Sequence, residues 1–194
     1  MAASTAQIQT NEPKKVESDY ISLERFLAEY SDKEDGFKYE WNDGEVEKTH
    51  AMNQTQQLIF RNLMRFFVDT SIFKEGGVLS SEVNMRTSKK QLRRPNLAIF
   101  SNKQVINFDD SDATVPAWVA EVISESDNIN RVERKLDEYF QAGVKVVWHI
   151  FPISEKIYVY TSPTKVKICV NKAICSSLPA LKDFEIVASD IFAK

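Results

Sequence analysis

The chain has 194 residues, 43% hydrophobic and 27% charged, with 25 Lys and Arg against 28 Asp and Glu for a net charge of −3. That length suits one domain able to bury a sizeable core, and the balance excludes a global electrostatic pull on nucleic acid, so any such contact must come from a local patch. Two cysteines, two histidines and five glycines argue against a disulfide framework, a zinc site and a glycine-rich dinucleotide fold.

Met1 to Ser18 is rich in Ala, Ser, Thr, Gln, Asn and Lys and lacks a signal-peptide core, so residues 1–18 are expected to form a disordered tail ahead of a single domain over 19–194. Ser22 is positioned to cap a short helix over Leu23–Tyr30. Phe37–Trp41 alternates like a strand, Asn42-Asp43-Gly44 turns, and Glu45–Thr49 returns, which predicts a hairpin. Leu58, Ile59, Leu63, Phe66 and Phe67 recur every three or four positions, the spacing of an amphipathic helix over Asn53 to about Thr70.

Gly76-Gly77 closes that region. Val78–Arg86 reads as one strand, and Thr87–Arg94 as a polar, basic connection into a strand at Leu97–Phe100. An acidic loop around Phe108–Asp112 precedes the strand Ala117–Ile123. Asp127 or Asn128 can cap a helix with Val132, Leu136, Tyr139 and Phe140 inward, which Ala142-Gly143 stops. Lys145–Phe151 is a further strand, and Lys156–Thr161 with Lys165–Val170 forms an edge hairpin. The strand–helix–strand unit Ala117–Phe151 predicts a parallel crossover, and the whole is α/β, a mixed twisted sheet flanked by helices.

No stretch nears the roughly 20 apolar residues of a membrane span. The expected compartment is the cytoplasm, with Cys169 and Cys175 as free thiols.

Two polar groups stand out because apolar segments deliver them. Glu121 lies in Trp118-Val119-Ala120-Glu121-Val122-Ile123, where an isolated carboxylate costs several kcal/mol; an ion pair or a hard cation such as Mg²⁺ would compensate it. Asn96 follows Pro95 at the start of its strand, a turn residue on its own. Lys135 is placed on the following helix to reach back towards Glu121, a role for which Arg131 and Arg134 compete. The run Lys89-Lys90-Gln91-Leu92-Arg93-Arg94 holds four cations in six residues. It suits contact with DNA phosphates through Lys89, Lys90, Arg93 and Arg94, or a solvated hairpin loop. His149 reads as a core histidine.

The ordered set Tyr39-Glu40-x-x-Asp43-Gly44-Glu45, Arg94-Pro95-Asn96, Glu121-Val122-Ile123-Ser124, Lys135-x-x-x-Tyr139-x-x-Ala142-Gly143-Val144, Trp148 and Leu178-Pro179 resembles the Uma-type family, described as restriction endonucleases within the PD-(D/E)XK nuclease superfamily. The resemblance spans Ser22 to Phe192. It implies a restriction-endonuclease-like core, a Mg²⁺ site on Asn96 and Glu121, and phosphodiester hydrolysis of DNA assisted by Lys135. Ile123 occupies the superfamily's usual lysine position, which directs attention to the helix. The chain departs from the family where Asn96 replaces an aspartate, Thr55 a histidine and Phe151 an aspartate. An amide brings no charge to a hard cation, so catalysis is expected to be weakened or absent. The alternatives are a catalytically dead nuclease fold that binds nucleic acid or a partner protein, and a homodimer joined through the edge hairpin.

Overall fold

The structure is a computed structural model that describes residues 20–107 and 114–194; the expected N-terminal tail and the acidic loop around Phe108–Asp112 lie outside the described residues. Helix α1 (Leu23–Glu29) begins at Ser22, whose side chain accepts from the Arg25 N–H. Strands β1 (Phe37–Asn42) and β2 (Glu45–His50) form the expected hairpin, with Asp43 and Gly44 both at positive φ. Helix α2 (Gln54–Phe67) is held by an Asn53 capping box with Gln56, and a one-turn helix, α3 (Ser71–Lys74), follows it.

The expected single strand over Val78–Arg86 is two strands in different sheets. Strand β3 (Val78–Ser81) pairs with β6 (Leu97–Phe100), whereas β4 (Met85–Ser88) pairs with β5 (Gln91–Arg93). Glu82 sits between them at φ 53, a conformation that ends a strand and redirects the chain. The Asn84 side chain, donating to Ser31 Oγ at 2.8 Å, anchors the crossing. Thr87–Arg94, read as a connection, is therefore largely hairpin, because Leu92 pairs with Trp41 in a small buried core. The short helix α4 (Asn102–Ile106), capped by Ser101, carries no periodicity long enough to read from sequence.

Strand β7 (Trp118–Val122), helix α5 (Ile129–Ala142) and strand β8 (Val146–Phe151) make the expected crossover, with β7 and β8 parallel. Asn128 caps α5, and Gly143 ends it at φ 110. Strands β9 (Lys156–Ser162) and β10 (Lys165–Cys169) form the edge hairpin. The C-terminal β11 (Ile174–Ser176), β12 (Glu185–Val187) and α6 (Ala188–Ile191) were not legible as elements in the sequence. The strands assemble as a four-stranded sheet, β2-β1-β5-β4, a six-stranded sheet, β10-β9-β8-β7-β6-β3, and the pair β11-β12. No helix among the described residues is long and apolar enough to cross a membrane, and Cys169 and Cys175 are free and buried.

Alternation along the central strands separates two cores. Trp118, Ala120 and Val122 of β7, with Trp148 of β8, face α2 and the C-terminal segment. Val119 and Val147 face α5, meeting Leu136 and Tyr139. This leaves Glu121 and His149, opposite one another in register, on the α5 face. The third core joins α1 to the small sheet through Phe26, Tyr39, Trp41 and Leu92. Trp148 is fully buried, edge-on to Trp118 and stacked on Phe184 with ring centroids 5.8 Å apart. Trp148→Ala should therefore cost about 3–5 kcal/mol of stability, read as a lowered denaturation midpoint in urea at unchanged slope.

Candidate functional site

The site is assembled by register. Leu97 of β6 pairs with Ala120 of β7 in antiparallel fashion, so Asn96, one residue before the strand, stands across from Glu121. The two are joined directly: the Asn96 N–H donates to Glu121 Oε2 at 3.4 Å, and Asn96 Oδ1 accepts from the Val122 N–H at 2.9 Å. From α5, one turn apart, Lys135 Nζ lies 2.6 Å from Glu121 Oε1 and the Tyr139 hydroxyl donates to the same oxygen at 2.5 Å. Asn96, Glu121 and Lys135 are thus brought together, the ammonium coming from helix α5.

A second carboxylate completes the arrangement. Glu40 of β1 accepts from Lys135 Nζ at 2.9 Å and from Arg131 at 3.2 Å, and lies 3.4 Å from Arg93. Its neighbour on the same face, Lys38, is also buried. Sequence reasoning passed over both as site residues, because the alternation Phe37-Lys38-Tyr39-Glu40-Trp41 was read as a hairpin strand alone. In the fold both faces are covered: Tyr39 and Trp41 meet α1, and Lys38 and Glu40 meet the site. The signal was there in the charged alternate positions and in the Tyr39-Glu40-x-x-Asp43-Gly44 motif.

The electrostatics are those of mutual neutralisation. Burial pushes the Glu40 carboxyl up, but Lys135, Lys38, Arg93 and Arg131 outweigh it and hold the group far below the usual range. Glu121 follows the same pattern, with burial overcome by Lys135 and Lys38. Lys135 is the reverse: burial opposes its charge, and Glu121 and Glu40 raise it above the ordinary lysine value. Tyr139 stays a phenol, since burial and then Glu121 raise it well above its normal value. For Lys38 burial wins, and its ammonium is held below the usual lysine range.

These residues open onto a cleft of about 590 Å³ whose walls include Lys38, Asn96, Glu121, Arg131 and Lys135, with the loop that leads into α5 at its rim. The Mg²⁺ that the resemblance implies does not fit the donor set found here. Glu121 Oε1 already takes Lys135 and Tyr139, and Oε2 takes the Asn96 N–H. The Val122 N–H fixes the Asn96 amide, so its NH₂ group occupies the position where an aspartate would offer a second oxygen. Among the described residues no group of three or more His, Cys, Asp or Glu is arranged to hold a metal ion.

The basic run is divided by the fold. Arg93, expected to meet phosphate, is wholly buried: it donates to Glu138 at 2.6 and 2.9 Å and to Glu47 at 3.1 Å, holding the small sheet against α5. Arg94 is half-buried and donates to the carbonyls of Glu82 and Ser31. Lys89 and Lys90 are exposed at the β4–β5 turn, where Lys90 pairs with Asp43 at 3.1 Å. That turn adjoins the Asn42 end of β1, whereas Lys38 is four residues along the strand, or about 13 Å. The run therefore does not line the cleft; Lys38, Lys48, Arg131 and Lys135 do.

A family model described as Uma2, putative restriction endonuclease, matches residues 20–189. The crystal structure of a putative nuclease belonging to DUF820 from Anabaena variabilis ATCC 29413 superimposes with a TM-score of 0.70, covering 89% of this chain and 97% of that one at 15% identity. That likeness establishes a shared fold, a mixed twisted sheet flanked by helices. No curated protein matches the chain in sequence.

Two measurements follow from the cluster. Removing Arg93 would leave buried carboxylates without their partner, so Arg93→Ala should lose about 3–5 kcal/mol in chemical denaturation. His149 is 2% exposed and its Nε2 has no hydrogen-bond partner among the described residues. Burial, partly countered by Glu121, lowers its pKa to about 4, so from roughly pH 6.5 downwards the unfolded chain binds a proton that the folded chain refuses. Stability should be full above pH 6.5 and fall by up to about 1.4 kcal/mol per pH unit as the pH drops towards 4. His149→Leu should flatten that slope between pH 5 and 6.5, as read by urea denaturation at each pH.

Proposed function

Because the chain belongs to the Uma2 family of putative restriction endonucleases, we propose that it is an endonuclease-type phosphodiesterase directed at DNA whose metal-dependent hydrolysis is weakened by two or more powers of ten. One observation carries this reading: opposite Glu121, at the start of β6, the chain offers the Asn96 amide with its oxygen turned to the Val122 N–H. A carboxylate there would add a charge and a free oxygen for a hard cation. The amide supplies no charge and presents N–H donors instead. Losing one carboxylate from such a site costs several kcal/mol of metal or transition-state stabilisation, which is the stated loss in rate.

In this reading Asn96 and Glu121 descend from a metal-binding pair, and Lys135 is the cation beside the scissile phosphate. Lys135 is already bridged to Glu121 and Glu40, which supports a site that has settled into internal ion pairing. Lys89 and Lys90 supply outlying contacts to backbone phosphates. A second reading, nucleic-acid binding without cleavage, is favoured by the cleft wall, which carries Lys38, Lys48, Arg131 and Lys135 alongside the carboxylates of Glu121 and Asp127.

Plasmid nicking with Mg²⁺ or Mn²⁺, alongside a calorimetric Mn²⁺ titration, tests the proposal. The wild-type chain should nick near background. Asn96→Asp should bind Mn²⁺ saturably and nick at least about a hundredfold faster, and adding Glu121→Ala should abolish both gains. Wild-type cleavage as fast as that of the variant, or an Asn96→Asp chain that gains neither property, would sink it.

A further inference from the structure

Lys38 is an ammonium group in an unusual position. The residue is 5% exposed and lines the cleft. Among the described residues its closest carboxylate is Glu82, at 3.9 Å, too far for a hydrogen bond. Glu82 Oε1 is itself buried and unbonded. Its ammonium donors meet no acceptor among the described residues and lie at the wall of the cleft, where an entering acceptor can receive them.

The surroundings indicate what that is. The Asn96 amide nitrogen, turned away from the Val122 N–H, likewise has no acceptor among the described residues. Arg131 lies at the mouth with its side chain 24% exposed, and the 14-residue helix α5 starts at the rim of the same cleft, at Asn128. By contrast, both Glu121 oxygens and the Asp127 Oδ2 already receive donors. A cleft that offers the Lys38 and Asn96 donors while both oxygens of its Glu121 carboxylate are occupied suits an oxyanion.

We propose that the cleft binds a phosphate group without a metal ion, seated against the Lys38 ammonium and the Asn96 amide with Arg131 closing over it. The same change that removes a cation ligand at position 96 creates an anion donor. The inference rests on the reading above only for the source of the phosphate, a phosphodiester of the nucleic-acid backbone rather than free phosphate.

The experiment is binding in excess EDTA, by calorimetry with inorganic phosphate and by fluorescence anisotropy with a labelled DNA duplex that phosphate then competes. Both ligands should bind, and phosphate should displace the duplex. Lys38→Met should weaken each about ten- to a hundredfold, the loss expected for one charged hydrogen-bond donor. Arg131→Gln, more exposed and kinder to folding, should weaken both as well. Asn96→Asp should lose affinity in EDTA, the opposite of its effect on Mn²⁺. Lys89→Glu/Lys90→Glu, outside the cleft lining, should weaken the duplex through its outlying contacts but not inorganic phosphate. Phosphate binding with no duplex binding would uphold the anion site and discard the nucleic-acid source. Binding that needs Mg²⁺, no binding of either ligand, or full affinity in well-folded Lys38→Met and Arg131→Gln would overturn the inference. Nicking by Asn96→Asp is read separately, so either proposal can fail alone.

Discussion

Glu121 belongs to the large sheet and Glu40 to the small one, and the Lys135 ammonium between them, 2.6 and 2.9 Å from the two carboxylates, couples the layers. Around this bridge Lys38, Arg93, Arg131 and Arg134 complete five cations facing the five carboxylates of Glu40, Glu47, Glu82, Glu121 and Glu138. Helix α5 meets the small sheet through Met85, through the Gln91 amide that donates to Glu138 at 3.0 Å, and through these charges. Such a cluster contributes little net stability compared with an apolar interface, because desolvation offsets most of the attraction. What it imposes is dependence: each member is tolerable only while its partners stay.

That dependence bears on the chemistry of the cleft. A carboxylate pair awaiting a divalent cation is a site with a charge deficit. Here the deficit is filled from within, by a lysine on α5 and by β1 and β5, strands whose charged residues point inwards. The Asn96 side chain continues the same logic, since an aspartate beside Glu121 and Glu40 would add a third negative charge to a pocket already balanced. Neutrality of the cluster and an uncharged side chain at position 96 are two aspects of one arrangement.

Much of this was legible from the sequence. The Asn53 and Asn128 caps, the Gly143 stop, the Asn42-Asp43-Gly44 hairpin and the Ala117–Phe151 crossover were all readable, because each rests on local geometry. So was the meeting of residues 96, 121 and 135, since two short buried strands and one helix leave few other arrangements. The break at Glu82 was not legible: Val78–Arg86 keeps its alternation while the chain changes sheets, and period alone carries no information about which sheet receives a strand. Arg93 was misread for a related reason. A run of cations reads as solvated unless the carboxylates that bury it are known, and Glu138 and Glu47 lie more than forty residues away in either direction. The C-terminal β11, β12 and α6 are short and draw their stability from packing under Trp118 and Trp148 rather than from propensity.

Position 96 is where fold and chemistry separate most cleanly. Its place is fixed by backbone: the Leu97 to Ala120 pairing sets it across from Glu121, and the Val122 N–H orients whichever oxygen the side chain supplies. An aspartate would satisfy that N–H as well as an asparagine does, so the strand, the register and the neighbouring core are indifferent to the exchange. The group on the other branch of the side chain is not constrained by the fold at all. An oxygen there accepts a cation; an NH₂ there donates to an anion. With Lys38 on the wall of the same cleft and without an acceptor among the described residues, one unit of charge on an otherwise unchanged scaffold is enough to decide which kind of ion the cleft admits.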